Sequence, residues 1–217
     1  MTTARWTTVS ASAAALCLLL FPVLRPWPDE TVPSAALAHA FASERWVIAH
    51  LCGILGLGLL APTLLGARRL WGDGASARRV LTAAVATAWA GAGLCALYFG
   101  AEIFGIRTIT QAALHRGDLS TFLDDVTALR EQPAAMTAFG AGLLAIAAAG
   151  VLVAVRLWRD GGLHRGAGTL VAAGLVLYLP QFFGPPAVRV GHGVLTALGL
   201  ALLAVAAGRR SRERVAA

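Results

Sequence analysis

Six runs of mainly apolar residues, each about 20 residues long and so able to cross roughly 30 Å of hydrocarbon, constrain the fold more than any other feature. They lie near 7–24, 46–65, 80–104, 134–155, 168–184 and 188–207, with charged or Pro/Gly-rich segments between them. None alternates with period two, which argues against a β-barrel and for an all-α, polytopic six-helix transmembrane bundle. One integral membrane domain over residues 1–217 is expected. Composition agrees, with 58% hydrophobic and 13% charged residues against about 25% charged in a soluble domain. So few charges cannot clothe a water-facing surface.

The net charge of +7 would point to nucleic acid in a soluble chain, but here the cations flank the apolar runs. All 18 basic residues are Arg, and Lys and Asn are absent, which fits codon bias in a GC-rich bacterium. With the N-terminus inside, 12 arginines fall on inner segments and 6 on outer ones. The positive-inside rule therefore places both termini in the cytoplasm of a bacterial cell. Ala38-His39-Ala40 mimics a signal-peptide cleavage site, but the Pro-rich spacer of Pro22, Pro26, Pro28 and Pro33 argues against cleavage. Cys17, Cys52 and Cys95 sit singly in apolar runs, so neither a disulfide framework nor a thiol relay is expected.

In the long outer loop, Asp118 reads as an N-cap. Leu119, Phe122, Leu123, Val126 and Leu129 then form one stripe of an amphipathic helix over 118–130, with Asp124, Asp125 and Arg130 on other faces. Such a helix either rests at the membrane interface or forms a lid over an outward-facing cavity. Pro62 and Pro180 should bend the second and fifth spans. Small residues such as Gly53, Gly56, Gly91 and Gly93 permit close helix contacts.

Polar side chains are costly inside a bilayer, and four stand out: His50, Glu102, Gln181 and His192. At 1.5 Å per residue, His50 lies roughly 6 Å and Glu102 roughly 7–8 Å below the outer interface. Gln181 and His192 flank the Gly184-Pro185-Pro186 turn. All four belong to the outer third of the membrane, on four different helices, with Tyr98, Phe99, Tyr178 and Phe182 at the same level. An aromatic-lined pocket is expected there. In it Glu102 would be the catalytic acid, His50 or His192 its proton partner, and Tyr98, Phe99, Tyr178, Gln181 and Phe182 the substrate contacts. The bland alternative is an ion pair of Glu102 with Arg107 or Arg189.

Several chemistries lack their motifs. There is no D-D-x-x-D cluster for magnesium-diphosphate prenyl chemistry, no G-x-S-G for rhomboid-type proteolysis and no H-E-x-x-H for zinc proteolysis. What fits is a carboxylic acid in an apolar cavity, protonating an alkene or epoxide while aromatic faces stabilise the cation. On Tyr98-Phe99-Gly100-Ala101-Glu102 and Leu179-Pro180-Gln181-Phe182-Phe183-Gly184-Pro185-Pro186, the chain resembles the small integral-membrane terpene cyclases. Bacterial members cyclise prenylated indole or diketopiperazine products. The fungal members have seven spans against the six counted here. The resemblance implies metal-independent, proton-initiated cyclisation of a lipophilic prenyl substrate, with no cofactor. Two other classes stay open. One is a non-enzymatic six-helix protein (a small transporter, sensor or partner subunit). The other is an electron carrier for haem or quinone, with haem iron held by His50 and His192.

Overall fold

The computed structural model describes residues 2–216. The described chain is helical, in the order α1 (Thr3–Leu24), α2 (Ala35–Ala42), α3 (Glu44–Gly58), α4 (Leu60–Trp71) and α5 (Ala75–Gly100). A π-helical turn follows over Ala101–Ile106, then α6 (Arg107–Arg116), α7 (Phe122–Arg130), α8 (Pro133–Leu157), α9 (Gly162–Val176) and α10 (Pro186–Ala216). Five helical stretches are long and apolar enough to cross a membrane: Thr3–Leu24, Glu44–Trp71, Ala75–Arg116, Pro133–Asp160 and Pro186–Arg214. Large apolar side chains stay exposed on their outer faces, among them Trp89, Leu97 and Leu144. In water such patches would invite aggregation; against lipid they are the correct solvent match.

The expected fifth span, 168–184, is divided. Helix α9 has 15 residues and stops at Val176; a 3₁₀ turn follows over Pro180–Phe183. Pro180 has no N–H to give the Val176 carbonyl, so the α-helical ladder cannot run through it. The segment nonetheless runs from one end of the bundle to the other. His164, near its start, meets Trp71 edge-on, while Gln181, just past its end, lines the cavity described below. Pro62 acts as expected: the second span breaks at Leu59 into α3 and α4.

The long segments close into a ring in which α1 packs on α10, α10 on α9, α9 on α8, α8 on α5, α5 on α4, and α3 and α4 on α1. At one end, Arg210 of α10 reaches Asp73 between α4 and α5 at 2.9 Å, and Arg214 bonds the same carboxylate. At the other end a second apolar cluster forms a cap. Leu37 and Phe41 of α2, Trp46, Ile106, and Phe122 and Val126 of α7 are all fully buried there. The amphipathic stripe therefore faces protein rather than lipid. Asp118 accepts from the Ser120 backbone N–H at 2.8 Å, closing a turn ahead of α7 instead of capping it.

Gly91 sets the α5–α8 approach, since a Cβ there would meet the Gly142 carbonyl oxygen at 2.7 Å. At Gly93 a Cβ meets nothing within 4 Å. Gly91→Ala should therefore destabilise the detergent-solubilised protein by about 1–3 kcal/mol. Gly93→Ala should leave thermal unfolding unchanged or raise its midpoint, because Ala is the better helix former. Equal midpoints for the two variants would contradict the close contact.

Candidate functional site

Ala75–Arg116 is one 42-residue helical run, interrupted only by the π turn that contains Glu102. A π turn shifts the i→i−4 ladder and leaves carbonyls for other donors. The Trp46 indole N–H takes one of them, donating to the Glu102 backbone oxygen at 2.8 Å. Trp46 in turn fixes His50 one turn along α3. The His50 Nδ1 lies 2.7 Å from the Trp46 carbonyl oxygen. A carbonyl can only accept, so Nδ1 carries the hydrogen and Nε2 is the variable nitrogen. That Nε2 stands 3.7 Å from Glu102 Oε2. Glu102 and His50 are 6% and 2% exposed, so water does not screen the pair.

The counter-ion of Glu102 is neither Arg107 nor Arg189. Arg130, at the end of α7, grips it as a fork: Nε donates to Oε1 at 2.8 Å and Nη2 to Oε2 at 3.0 Å. Arg130 Nη1 also donates to Glu30 at 2.9 Å, and Glu30 accepts from Arg25 at 2.8 Å. Two acids and two guanidiniums thus alternate in one chain, buried at Arg25 and Glu102 and half-buried at Glu30 and Arg130. Burial works against the charge on Glu30, but Arg25 and Arg130 outweigh it and hold its carboxyl below the ordinary carboxylate range. Burial likewise opposes the charge on Arg130, while Glu102 and Glu30 hold it above the usual arginine value. Arg107 pairs instead with Glu44. Arg189 donates to the carbonyls of Phe182 at 2.7 Å and Gly184 at 2.9 Å, ending the 3₁₀ turn.

Arg25, Glu30, His50, Glu102, Arg130 and Arg189 line a cavity of about 310 Å³. Of the residues expected from sequence, His50, Tyr98, Phe99, Glu102, Gln181 and Phe182 all face it. Its wall is aromatic: Tyr98 stacks on Phe139 at 4.2 Å, and Phe139 meets Phe182 edge-on at 5.5 Å. Two expected residues are elsewhere. His192 lines a separate groove with Leu177, Pro180 and Leu195, and its Nε2 bonds the Gly174 carbonyl at 2.7 Å. Tyr178 is buried behind Phe182, edge-on to His192. His50 and His192 therefore face different spaces, which disfavours a bis-histidine haem clamp. Among the described residues, no group of three or more His, Cys, Asp or Glu is placed to hold a metal ion.

Arg130, Glu30, Arg25, Trp27 and Phe139 were not anticipated. The signal for Arg130 was electrostatic: an acid inside a span demands a cation, and any arginine on an outer loop was a candidate. No family model matches the chain, no curated protein is detectably similar, and no solved structure matches it.

Arg130→Met leaves Glu102 buried without its fork and should cost about 3–5 kcal/mol of stability. Adding Glu102→Gln should recover part of that loss, because the stranded charge is gone. Additive losses in detergent melts would show the pair to be uncoupled. The pH dependence has a definite sign. A carboxyl whose folded-state pKa is depressed contributes stability above its unfolded value, 4.5 for Glu30, and loses it as pH falls through the folded value. The stability difference between the wild type and Glu30→Gln should be full at neutral pH and vanish on acidification below that range.

Proposed function

We propose that the protein is a bacterial plasma-membrane enzyme that admits a lipophilic prenyl substrate to this cavity and cyclises it by proton transfer, without a metal. The observation that carries the reading is the His50–Glu102 pair in an aromatic-walled cavity. Both oxygens of Glu102 accept from Arg130, which is the arrangement of a carboxylate. The mobile proton is accordingly assigned to His50 rather than to Glu102. Glu102 becomes the anion that stabilises the imidazolium, and Nε2 the atom that gives and receives the proton.

The step balances without oxidant or reductant. His50 Nε2–H protonates one alkene, the π electrons of a second alkene form the ring bond, and a neighbouring C–H returns its proton to Nε2. The product is an isomer of the substrate. The faces of Tyr98, Phe99, Phe139 and Phe182 are available to stabilise the intermediate cation. His50→Phe keeps a flat ring in the same packing but carries no proton. It should retain the melting behaviour of the wild type and lose turnover by about 10²-fold or more, read as the mass-neutral conversion of a prenylated probe. A stable, fully active His50→Phe variant would remove the reading. The Arg130 fork also suits a second class, a non-enzymatic membrane protein that only binds its ligand; retention of a prenyl probe without conversion would select it.

In the topology we propose, α9 and its following turn count as a sixth crossing, and both termini are cytoplasmic. The support is the arginine bias of the loops and the shared end of the bundle reached by Arg214 and Asp73. The cavity then faces outward. Single cysteines replacing the exposed Asp29 and Asp125 should react with an impermeant thiol reagent on intact cells. Labelling at these sites only after lysis would reverse the orientation.

A further inference from the structure

The charges that line the cavity do not cancel. Arg25, Arg130 and Arg189 face it, against Glu30 and Glu102. The two acids are taken up by Arg130 and Arg25. Among the described residues no carboxylate pairs with Arg189, whose partners are two neutral carbonyls. Arg25 is 7% exposed, and its Nη1 is buried without a hydrogen-bond partner. An unpaired guanidinium nitrogen in that setting forgoes a strong charge-assisted bond. Both cations also crowd one indole: the Arg25 Cζ lies 4.2 Å and the Arg189 Cζ 4.9 Å from the Trp27 ring centroid. Burial pushes the Arg25 guanidinium below its ordinary value although Glu30 and Glu102 oppose the shift. An anion between the two guanidiniums would offset this excess of positive charge.

We propose that the ligand of this cavity is a single-chain amphiphile with one anionic head group, a carboxylate or a phosphate monoester. Its head is seated between Arg25 and Arg189 beside Trp27, and its apolar body lies along Phe21, Phe99, Phe139 and Phe182. The inference rests on the reading of the cavity as a site for a lipophilic molecule and adds the chemistry of the polar end. A volume of about 310 Å³ is at the small end of ligand sites, which suits one apolar chain better than a two-tailed lipid.

The test uses the protein in phosphatidylcholine nanodiscs, titrated with dodecanoate, dodecyl phosphate and dodecanol at mildly alkaline pH. The three share a tail and differ in the head. Tryptophan fluorescence, with Trp27 and Trp46 beside the head site, gives the affinities. At least one anion should bind about tenfold or more tightly than dodecanol, the worth of one desolvated charge-assisted bond. The tighter of the two anions then identifies the head group. Arg189→Gln should reduce that anion to the dodecanol level, and Arg189→Lys, which keeps the charge, should retain part of the preference. Equal binding of all three compounds overturns the anionic head and leaves the lipophilic cavity standing. Absence of binding by any of them overturns both. Should Arg189→Gln not fold, the wild-type ratio and the Lys variant decide alone. A folded Arg189→Gln protein with an unchanged anion preference also overturns the proposal.

Discussion

A carboxylate buried in a helical run as apolar as Ala75–Arg116 must be neutralised, and here the neutralising cation comes from α7, outside the five long apolar stretches. Arg130 closes the distance by gripping Glu102 with two donors and passing its third to Glu30, which Arg25 holds in turn. Each link desolvates both partners, so the chain is tolerable only because every oxygen of the two acids has a donor. It ties together the α1–α2 loop, the π turn of the long helix and the end of α7. Removal of any one member strands the next. The cap is consequently docked by electrostatics at its centre and by the apolar cluster of Phe41, Trp46, Phe122 and Val126 around it.

That arrangement also fixes the chemistry of His50. Trp46 spends its indole N–H on the π turn and its backbone carbonyl on the imidazole. The ring is further held by Phe21 and Phe99, at 5.4 and 5.8 Å between centroids. One tautomer is thereby selected by an apolar neighbour's backbone, and the remaining nitrogen is turned toward the acid. The same residue that anchors the cap therefore orients the imidazole, which couples cap docking to site geometry.

The membrane helices were legible because hydropathy over 20 residues is a strong signal and needs no tertiary information. The length of α9 was not, since it depends on where Pro180 and Arg189 rearrange the last carbonyls. Glu102, His50 and the aromatic level were legible as intramembrane polar groups near one depth. Their partner was not. Pattern reading puts Arg130 on the polar face of an amphipathic helix, where arginines normally meet water. The long guanidinium side chain instead leans back under the cap, a reach that periodicity cannot express. Depth alone likewise grouped His192 and Tyr178 with the site, because sequence spacing fixes height along a helix but not the direction a face takes around the ring.

The π turn at Ala101–Ile106 has a consequence for register. It places one residue more in a turn than an α-helix holds, and each residue of an α-helix advances the face by about 100°. Everything beyond it, from Arg107 to Arg116, is therefore out of phase with the α5 face that packs on α8. One continuous helical run thus presents one side to the ring, through α5 on α8, and a different side to the cap, through α6 on α2. Deleting a single residue from the turn would let it close as an α-helix and withdraw the freed carbonyl to which the Trp46 indole donates. The integrity of the cavity is in this sense encoded by the count of residues in one turn as much as by their identity.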